Sequence, residues 1–391
     1  MRKKRVYLDW ASAAPVSKGA ARAFVRALKD SGNPSSAHEE GRVAKARLEE
    51  ARRAIAALVE AKADDVIFTS GATEANALAI RGHVAALMRA GHAARDIHLL
   101  YAPTAHASVI KNVEALAREG VHAEPLPLLS DGRVDVQVLG GMLRKETVLV
   151  SMDAVCGETG VIGNTREVRQ MLERAPSAAR PLLHVDASQA PLTERITRSH
   201  WGADLLVLDA QKIGGVRGIG VLVAHRTIAL APVIEGGGQE RGVRSGTQTP
   251  ALALSFAEAL AEAVKGREVF RARAQRARET VLGAVASIPG CVLNEGKETV
   301  PHVTNLSLIG RDTDYLAALL DEAGFAVSTR SACETDSSGS RVVLAQTGDP
   351  ARAASTLRIS WGPATMGREL ARFAHALREA VAFLDEHKIS S

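Results

Sequence analysis

The sequence predicts an α/β fold: a large domain with a mainly parallel sheet flanked by helices, joined to a smaller C-terminal α/β domain. Three observations carry this. Short apolar runs alternate with longer stretches of helical period, the pattern of βαβ units. A Gly-rich turn at Glu235-Gly236-Gly237-Gly238-Gln239 breaks that alternation, and a long Ala- and Glu-rich helix follows it. The length, 391 residues, suits one large domain with a smaller one attached.

Residues 36–60 carry Ala, Arg, Leu and Glu at helical spacing. Val66-Ile67-Phe68-Thr69 reads as a strand, then Ser70-Gly71-Ala72-Thr73-Glu74 opens a helical stretch to about Arg89. Asp96 to Tyr101 reads as a strand and His106 to Glu119 as a helix. Strands follow at Thr147 to Met152, Leu182 to Val185, Leu205 to Leu208 and Gly220 to Ala224. The long helix spans about Pro250 to Ala286, and strand-like pieces return at Val303 to Leu308, Ala326 to Thr329 and Thr356 to Ser360. No repeat of fixed period and no long low-complexity linker interrupts the chain.

Composition excludes several classes. Hydrophobic residues make up 46% and charged residues 24%, enough to bury a core and too apolar for disorder. No run reaches the roughly 18 apolar residues of a membrane span. The N-terminus lacks the apolar stretch of a secretory signal, so a cytoplasmic protein is expected. Three cysteines, Cys156, Cys291 and Cys333, are too scattered for a disulfide framework. Cys291 opens a strand-like Cys-Val-Leu and reads as a packing residue. The net charge of +5 is spread among acidic residues and aromatics are 3%, which argues against direct nucleic-acid binding. Twelve histidines show no metal-ligand spacing, so no metal is expected.

Four features sit just beyond strands, where parallel sheets bind ligands. Ser70-Gly71-Ala72-Thr73 leaves backbone N–H groups at a helix N-terminus, which suits a phosphate or serves as a plain cap. In His184-Val185-Asp186-Ala187-Ser188-Gln189 an acid closes an apolar strand, with Gln three residues on. Lys212 follows a buried strand and enters a loop with four glycines by Gly220; a desolvated lysine there becomes a nucleophile able to form a Schiff base. Gly236 to Thr247 is so rich in glycine that close backbone approach is expected. A phosphate cradle, an acid for a protonated ring nitrogen and a Schiff-base lysine together form the set that pyridoxal 5'-phosphate requires.

These segments give the chain a resemblance to the cysteine desulfurases, in the class V branch of the fold-type I pyridoxal-phosphate enzymes. The match runs in order through Tyr7-Leu8-Asp9, Asn33-Pro34-Ser35-Ser36-Ala37-His38, Phe68 to Asn76, Ala105-His106-Ala107-Ser108-Val109, His184 to Gln189, the Lys212 segment, Gly236 to Thr247, Ser331-Ala332-Cys333 and Leu357 to Gly362. The resemblance implies that Lys212 carries the cofactor, Asp186 pairs with its ring nitrogen, Gln189 faces the ring hydroxyl and His106 stacks on the ring. It implies that Ala72 and Thr73 hold the phosphate and that Thr247 reaches the phosphate of a neighbouring subunit, hence a homodimer with shared sites. By the same resemblance Arg358 is expected to clamp the carboxylate of the substrate, L-cysteine, with Asn33 near it. Cys333 is expected to be the sulfur-accepting nucleophile, in a loop running to Leu344, long as in the iron–sulfur-assembly type; a sulfur-acceptor or scaffold protein is the implied partner. Residues 15–250 are expected to form the large domain, and residues 1–14 and 251–391 the small one with the cysteine loop. A selenocysteine lyase, a class V aminotransferase and a non-catalytic scaffold of the same fold are the other readings.

Three positions depart from the family pattern. Asp209 stands where a phosphate-binding Ser is usual, Gln211 replaces a His, and Cys156-Gly157-Glu158 lacks the side-chain amide that faces the ring hydroxyl. An ionised Asp beside a phosphate is repulsive. The expectation is that Asp209 turns towards a cation, Arg217 or Arg244; protonation or weak cofactor binding are the alternatives.

Overall fold

The computed structural model describes residues 5–175, 180–329 and 339–387. Twelve strands occur among them: β1 (Val6–Tyr7), β2 (Val66–Thr69), β3 (His98–Tyr101), β4 (His122–Pro125), β5 (Thr147–Asp153), β6 (Leu182–Asp186), β7 (Leu205–Asp209), β8 (Gly220–Ala224), β9 (Cys291–Leu293), β10 (Val303–Leu308), β11 (Phe325–Ala326) and β12 (Thr356–Ser360). Seven of them form one sheet in the order β2-β8-β7-β6-β5-β3-β4. Only β8 runs against its neighbours, pairing antiparallel with β2 and β7.

The inner strands are apolar on both faces because helices cover both. Leu149, Val150, Leu183, Val185, Leu205 to Leu208 and Val221 to Val223 are at most 1% exposed. Each such side chain contributes about 1.5–3 kcal/mol through burial. β4 is different: His122-Ala123-Glu124-Pro125 is polar and partly exposed at the sheet edge, and its pairing with β3 makes it a strand. Its sequence gives no strand signal.

A second sheet, β12-β10-β9, is antiparallel, and β1 pairs in parallel with β11. The strand expected over Ala326 to Thr329 is therefore shorter and shifted, and the chain beyond it makes only an isolated bridge, Ser328 to Arg358. The helix Pro250–Val285 has proline in its first turn and packs on the helices Lys18–Ala27, Glu39–Leu58 and Gly367–Glu386. The helical stretch after Gly71 is Ala72–Ala77, a π-helical turn Leu78–Gly82, and His83–Arg89. No helix among the described residues is long and apolar enough to cross a membrane.

The loop expected from Cys333 to Leu344 is corrected at its far end. Ser340 caps a helix, Arg341–Thr347, accepting the N–H of Val343 at 3.0 Å. Cys333 itself lies outside the described residues.

Candidate active site

The strand ends of one sheet edge converge. β2 delivers Ser70 to Thr73, β3 leads to His106, and β5, β6 and β7 each end on an aspartate: Asp153, Asp186 and Asp209. Lys212 follows Asp209 in a single 3-10 turn.

Asp186 is 7% exposed and both its oxygens accept hydrogen bonds. Oδ1 accepts from Ser188 N–H at 3.0 Å and Oδ2 from the Asn76 amide at 2.7 Å. Partners that only donate suit an anion. Lys212 Nζ donates to the carbonyls of Ala11 and Ser12, each at 2.9 Å. Gln189 Nε2 donates to the same Ala11 carbonyl at 2.9 Å. His106 caps the helix Ala107–Arg118, and its Nδ1 accepts from Ser108 N–H at 3.1 Å. That places the proton of the neutral ring on Nε2. Burial pushes the His106 imidazole below its usual range; Asp186 opposes this, and Lys212 adds to it.

Arg358 extends from β12 with its fork engaged. Nη2 donates to Asp9 Oδ1 at 2.8 Å and Ser12 Oγ at 2.5 Å, and Nη1 to the Gly157 carbonyl at 3.1 Å. Its Nε is enclosed without a hydrogen-bond partner. Ser12, His106, Gln189, Lys212, Arg341 and Arg358 line one cavity of ≈ 90 Å³. Gly157 lines it too, and a Cβ there would stand 3.1 Å from Gln189 Nε2. The amide absent from that position thus leaves its space to Gln189.

At the phosphate end the turn is tight. A Cβ on Gly220 would fall 2.7 Å from the backbone of Gly71, whose φ is 150°. Ala72 is buried and Thr73 exposed. Asp209 does not turn towards a cation, which overturns the expectation from the sequence. Its Oδ2 accepts from Ala72 N–H at 3.0 Å and Gln211 Nε2 at 3.3 Å, and its Oδ1 from Gln211 N–H at 3.0 Å. Arg244 is held by Glu74 instead, at 2.8 Å. The orphan N–H groups of a helix start compensate a carboxylate without a cation.

Ala72, Thr73 and Asp186 lie at the same strand ends but do not line this cavity, and Thr247 and Asn33 stand apart from it. Thr247 is exposed on this chain. Asn33 is exposed, its Oδ1 accepts from Ser35 N–H at 2.9 Å, and it does not line the Arg358 cavity. Its neighbours Pro34 and Ser35 border a different cavity of ≈ 600 Å³, beside Gly238 to Arg241. The structure therefore does not bring Asn33 to Arg358 within one chain. No group of three or more His, Cys, Asp or Glu among the described residues is placed to hold a metal.

The sequence reading assigns no role to Asn76, Asp9, Ser12 or Asp153. The signal for Asp153 is the one used for Asp186, an acid closing an apolar strand. It is lost when the strand is ended at Met152.

A lysine and a buried aspartate at the strand ends of an α/β sheet, with a buried arginine reaching in from the second sheet, define the class of enzymes that bind a pyridine cofactor by its ring nitrogen and aldehyde. The aminotransferase class-V family model matches residues 6–373, and the chain belongs to this family. Cysteine desulfurase IscS 1 of Archaeoglobus fulgidus is 33% identical over 333 residues, 84% of each chain. The solved structure of a NifS-like protein superimposes with a TM-score of 0.89 at 25% identity, covering 97% of this chain and 100% of that one. The structure titled SspA in complex with cysteine does so with a TM-score of 0.78 at 27% identity, covering 92% and 99%.

Members of the family use pyridoxal 5'-phosphate. The residues here fit it. Asp186 faces donors only and Lys212 supplies the amine. Gly71 and Gly220 pack backbone to backbone beside Ala72, so the turn admits no Cβ at Gly220. At the phosphate end the fit carries one distinctive term, the Asp209 carboxylate on Ala72 N–H.

Proposed function

We propose that this protein is a pyridoxal-phosphate-dependent L-cysteine desulfurase that forms L-alanine and passes sulfur on as a persulfide. The placement of Lys212 and Asp186 at one edge of the seven-stranded sheet, with Arg358 of β12 lining the same cavity as Lys212, carries the reading. When bound, the cofactor supplies an electron sink for the pair released at the substrate Cα. Lys212 binds the cofactor and then moves the Cα proton at its Nζ, in a setting where Ala11 and Ser12 carbonyls orient that amine. Asp186 holds an anion towards the ring nitrogen, and Asn76 and Ser188 fix its direction. Arg358 receives the substrate carboxylate by exchanging its bond to Ser12 or Asp9 for a charge-assisted pair. His106, kept neutral by burial and with its Nδ1 held by Ser108 N–H, presents its Nε2–H as a hydrogen-bond donor in the cavity.

Cys333 is the acceptor thiol in this reading. Its thiolate attacks the substrate sulfur; the S–S bond forms as the C–S bond breaks, and the electron pair of that bond stays with carbon, which ends in alanine after protonation. The persulfide then goes to a sulfur-acceptor or iron–sulfur scaffold protein. A homodimer in the cytoplasm completes the proposal; the exposure of Thr247 on its own chain supports a role for it across a subunit boundary.

The test is direct. Purified protein with pyridoxal phosphate and a thiol reductant is given L-cysteine, and alanine and sulfide are measured. Equal yields of both support the reading. Cofactor uptake without alanine would count against it and favour the scaffold alternative, and amino transfer to a keto acid would favour the aminotransferase.

A further inference from the structure

β5 and β6 are paired in parallel with Asp153 opposite Asp186. Side chains opposite one another in a parallel pair lie on the same face, on strands about 4.8 Å apart. With Asp209 ending β7, three neighbouring strands present three carboxyls at one edge. Donors are shared out unequally among them. Asp186 receives Ser188 N–H and the Asn76 amide, and Asp209 receives Ala72 N–H and Gln211. Asp153 Oδ1 is sealed from solvent and has no hydrogen-bond partner. Asp153 also lines the cavity that holds Lys212 and His106.

We infer that Asp153 and Asp186 form a one-proton carboxyl pair, in which Asp153 is the neutral acid and Asp186 the anion. Asp153 is then a positioning residue: by keeping the proton, it leaves the negative charge on the carboxylate that faces the ring nitrogen. The inference rests on the proposed cofactor chemistry for its purpose, but the proton assignment concerns the protein's own residues.

Two carboxyls in one buried site do not both ionise, and the proton stays on the one that ionisation would leave with a buried oxygen lacking any donor, here Asp153 Oδ1. Every charged neighbour bears on this. Burial raises Asp153 well above the carboxylate range, and the Asp186 charge raises it further. Arg341, from the helix Arg341–Thr347, opposes the rise, as does the backbone N–H of His106. The Arg341 guanidinium is itself turned to carbonyls, donating to those of Pro103 and Ala105. Across the shared cavity stand Lys212, Arg358 and Glu158; Arg358 is paired with Asp9, and Glu158 accepts from Ser340. On the far side a cavity of ≈ 20 Å³ holds Arg133, which is paired with Asp131, and the Cys156 thiol, which burial keeps protonated. Beneath Asp186, His184 is buried and pushed down to about 4, so it is neutral and supplies no charge.

The test uses full-length protein labelled with ¹³C at the aspartate carboxyl, as apoprotein and after loading with pyridoxal phosphate. Infrared difference spectra and ¹³C titration read each carboxyl directly. The apoprotein should show a protonated-carboxyl band at pH 7 to 8 that Asp153→Asn removes and Asp209→Asn leaves in place. In Asp186→Asn the band should persist with its titration midpoint moved down, since the like charge is gone. A second readout needs no variant at the pair's partner. A raised carboxyl stabilises the fold below its unfolded value of about 3.9 and loses that contribution as pH rises through its folded value. The wild-type melting temperature should therefore fall with pH in a range where Asp153→Asn shows no such fall. A wild-type apoprotein without the protonated band, or a band that survives Asp153→Asn, overturns the inference. If pyridoxal phosphate does not bind, the functional reading fails while the apoprotein spectra still decide where the proton is.

Discussion

The Asp209 carboxylate sits on the backbone N–H of Ala72, Oδ2 to N at 3.0 Å, at the start of the helix that the sequence marks as a phosphate cradle. An internal anion thus occupies one donor of an anion site. Bound pyridoxal phosphate has to share that helix start with Asp209 or displace it. Two unit charges about 4 Å apart repel by about 4 kcal/mol at an effective dielectric near 20.

Asp209→Ser should therefore bind the cofactor at least about tenfold more tightly, a gain of about 1.4 kcal/mol. The gap should widen above about pH 6, where the phosphate becomes a dianion. Asp209→Ala should cost the apoprotein about 1 kcal/mol, the worth of a helix cap. Spectral titration with cofactor and thermal melts of the apoprotein check both. Wild-type values for both variants at every pH would mean that Asp209 neither meets the phosphate nor caps the helix.

Asp209 also shows where sequence reading stops. The departure from the family pattern is visible in the residues, and so is the electrostatic problem it raises. The solution is not, because it depends on β2 and β7 lying on either side of β8, which brings Ala72 N–H to a residue 137 positions away. The parallel sheet, its strand ends and the placement of Lys212 and Asp186 were legible, since each is a local pattern of apolar run followed by polar turn. β4 was not, because an edge strand of His-Ala-Glu-Pro owes its conformation to its neighbour. Asn33 was placed near Arg358 by resemblance alone, and the single chain puts its segment beside the Gly-rich loop.

That loop is anchored by a buried ion pair. Glu240 accepts from Arg52 at 2.7 and 2.8 Å, and from Phe68 N–H at 2.9 Å. Burial pushes the Glu240 carboxyl up, but Arg52, Gln248 and Phe68 N–H hold it below its usual range. Arg52→Met should destabilise the protein by about 3–5 kcal/mol, because it strands a buried charge. A carboxyl with a depressed value contributes stability above its unfolded value and loses it as pH falls through the folded one. Wild type should thus lose stability below about pH 4.5, and the variant should lose less over that range. Thermal melts from neutral to acid pH decide it; equal acid sensitivity in both would remove the pair from the account.

Arg358 carries two duties, one to Asp9 and one to the proposed substrate. Arg358→Ala should raise KM for cysteine by about 10- to 100-fold, in line with about 1.5–3 kcal/mol for a charge-assisted hydrogen bond. It should also lower the melting temperature, because Ser12 and the Gly157 carbonyl lose their donor. Asp9→Asn separates the duties: the fold loses the same ion pair while the guanidinium stays. A KM in Asp9→Asn as high as in Arg358→Ala would show that Arg358 acts by holding the fold and not by meeting the carboxylate.

The last prediction distinguishes the three thiols. A thiol acts on sulfur as its thiolate, and burial raises the cost of making one. The Cys291 thiol, half-buried on β9, is pushed up to about 11 by burial. The Cys156 thiol is pushed up chiefly by burial, although bonds to Thr159 and the Glu158 backbone oppose this. Neither is a competent acceptor near neutral pH. Cysteine-treated protein, alkylated and mapped by mass spectrometry, should carry persulfide on Cys333. Cys156→Ala and Cys291→Ala should keep that persulfide, and Cys333→Ser should lose it while still giving the cofactor's visible absorbance change on adding cysteine. The change should survive because binding at Lys212 and Arg358 needs no thiol from the protein. Persulfide found on Cys156 in the Cys333→Ser variant, with turnover near wild type, would move the acceptor to the turn after β5 and assign Asp153, its neighbour, a direct part in the sulfur step.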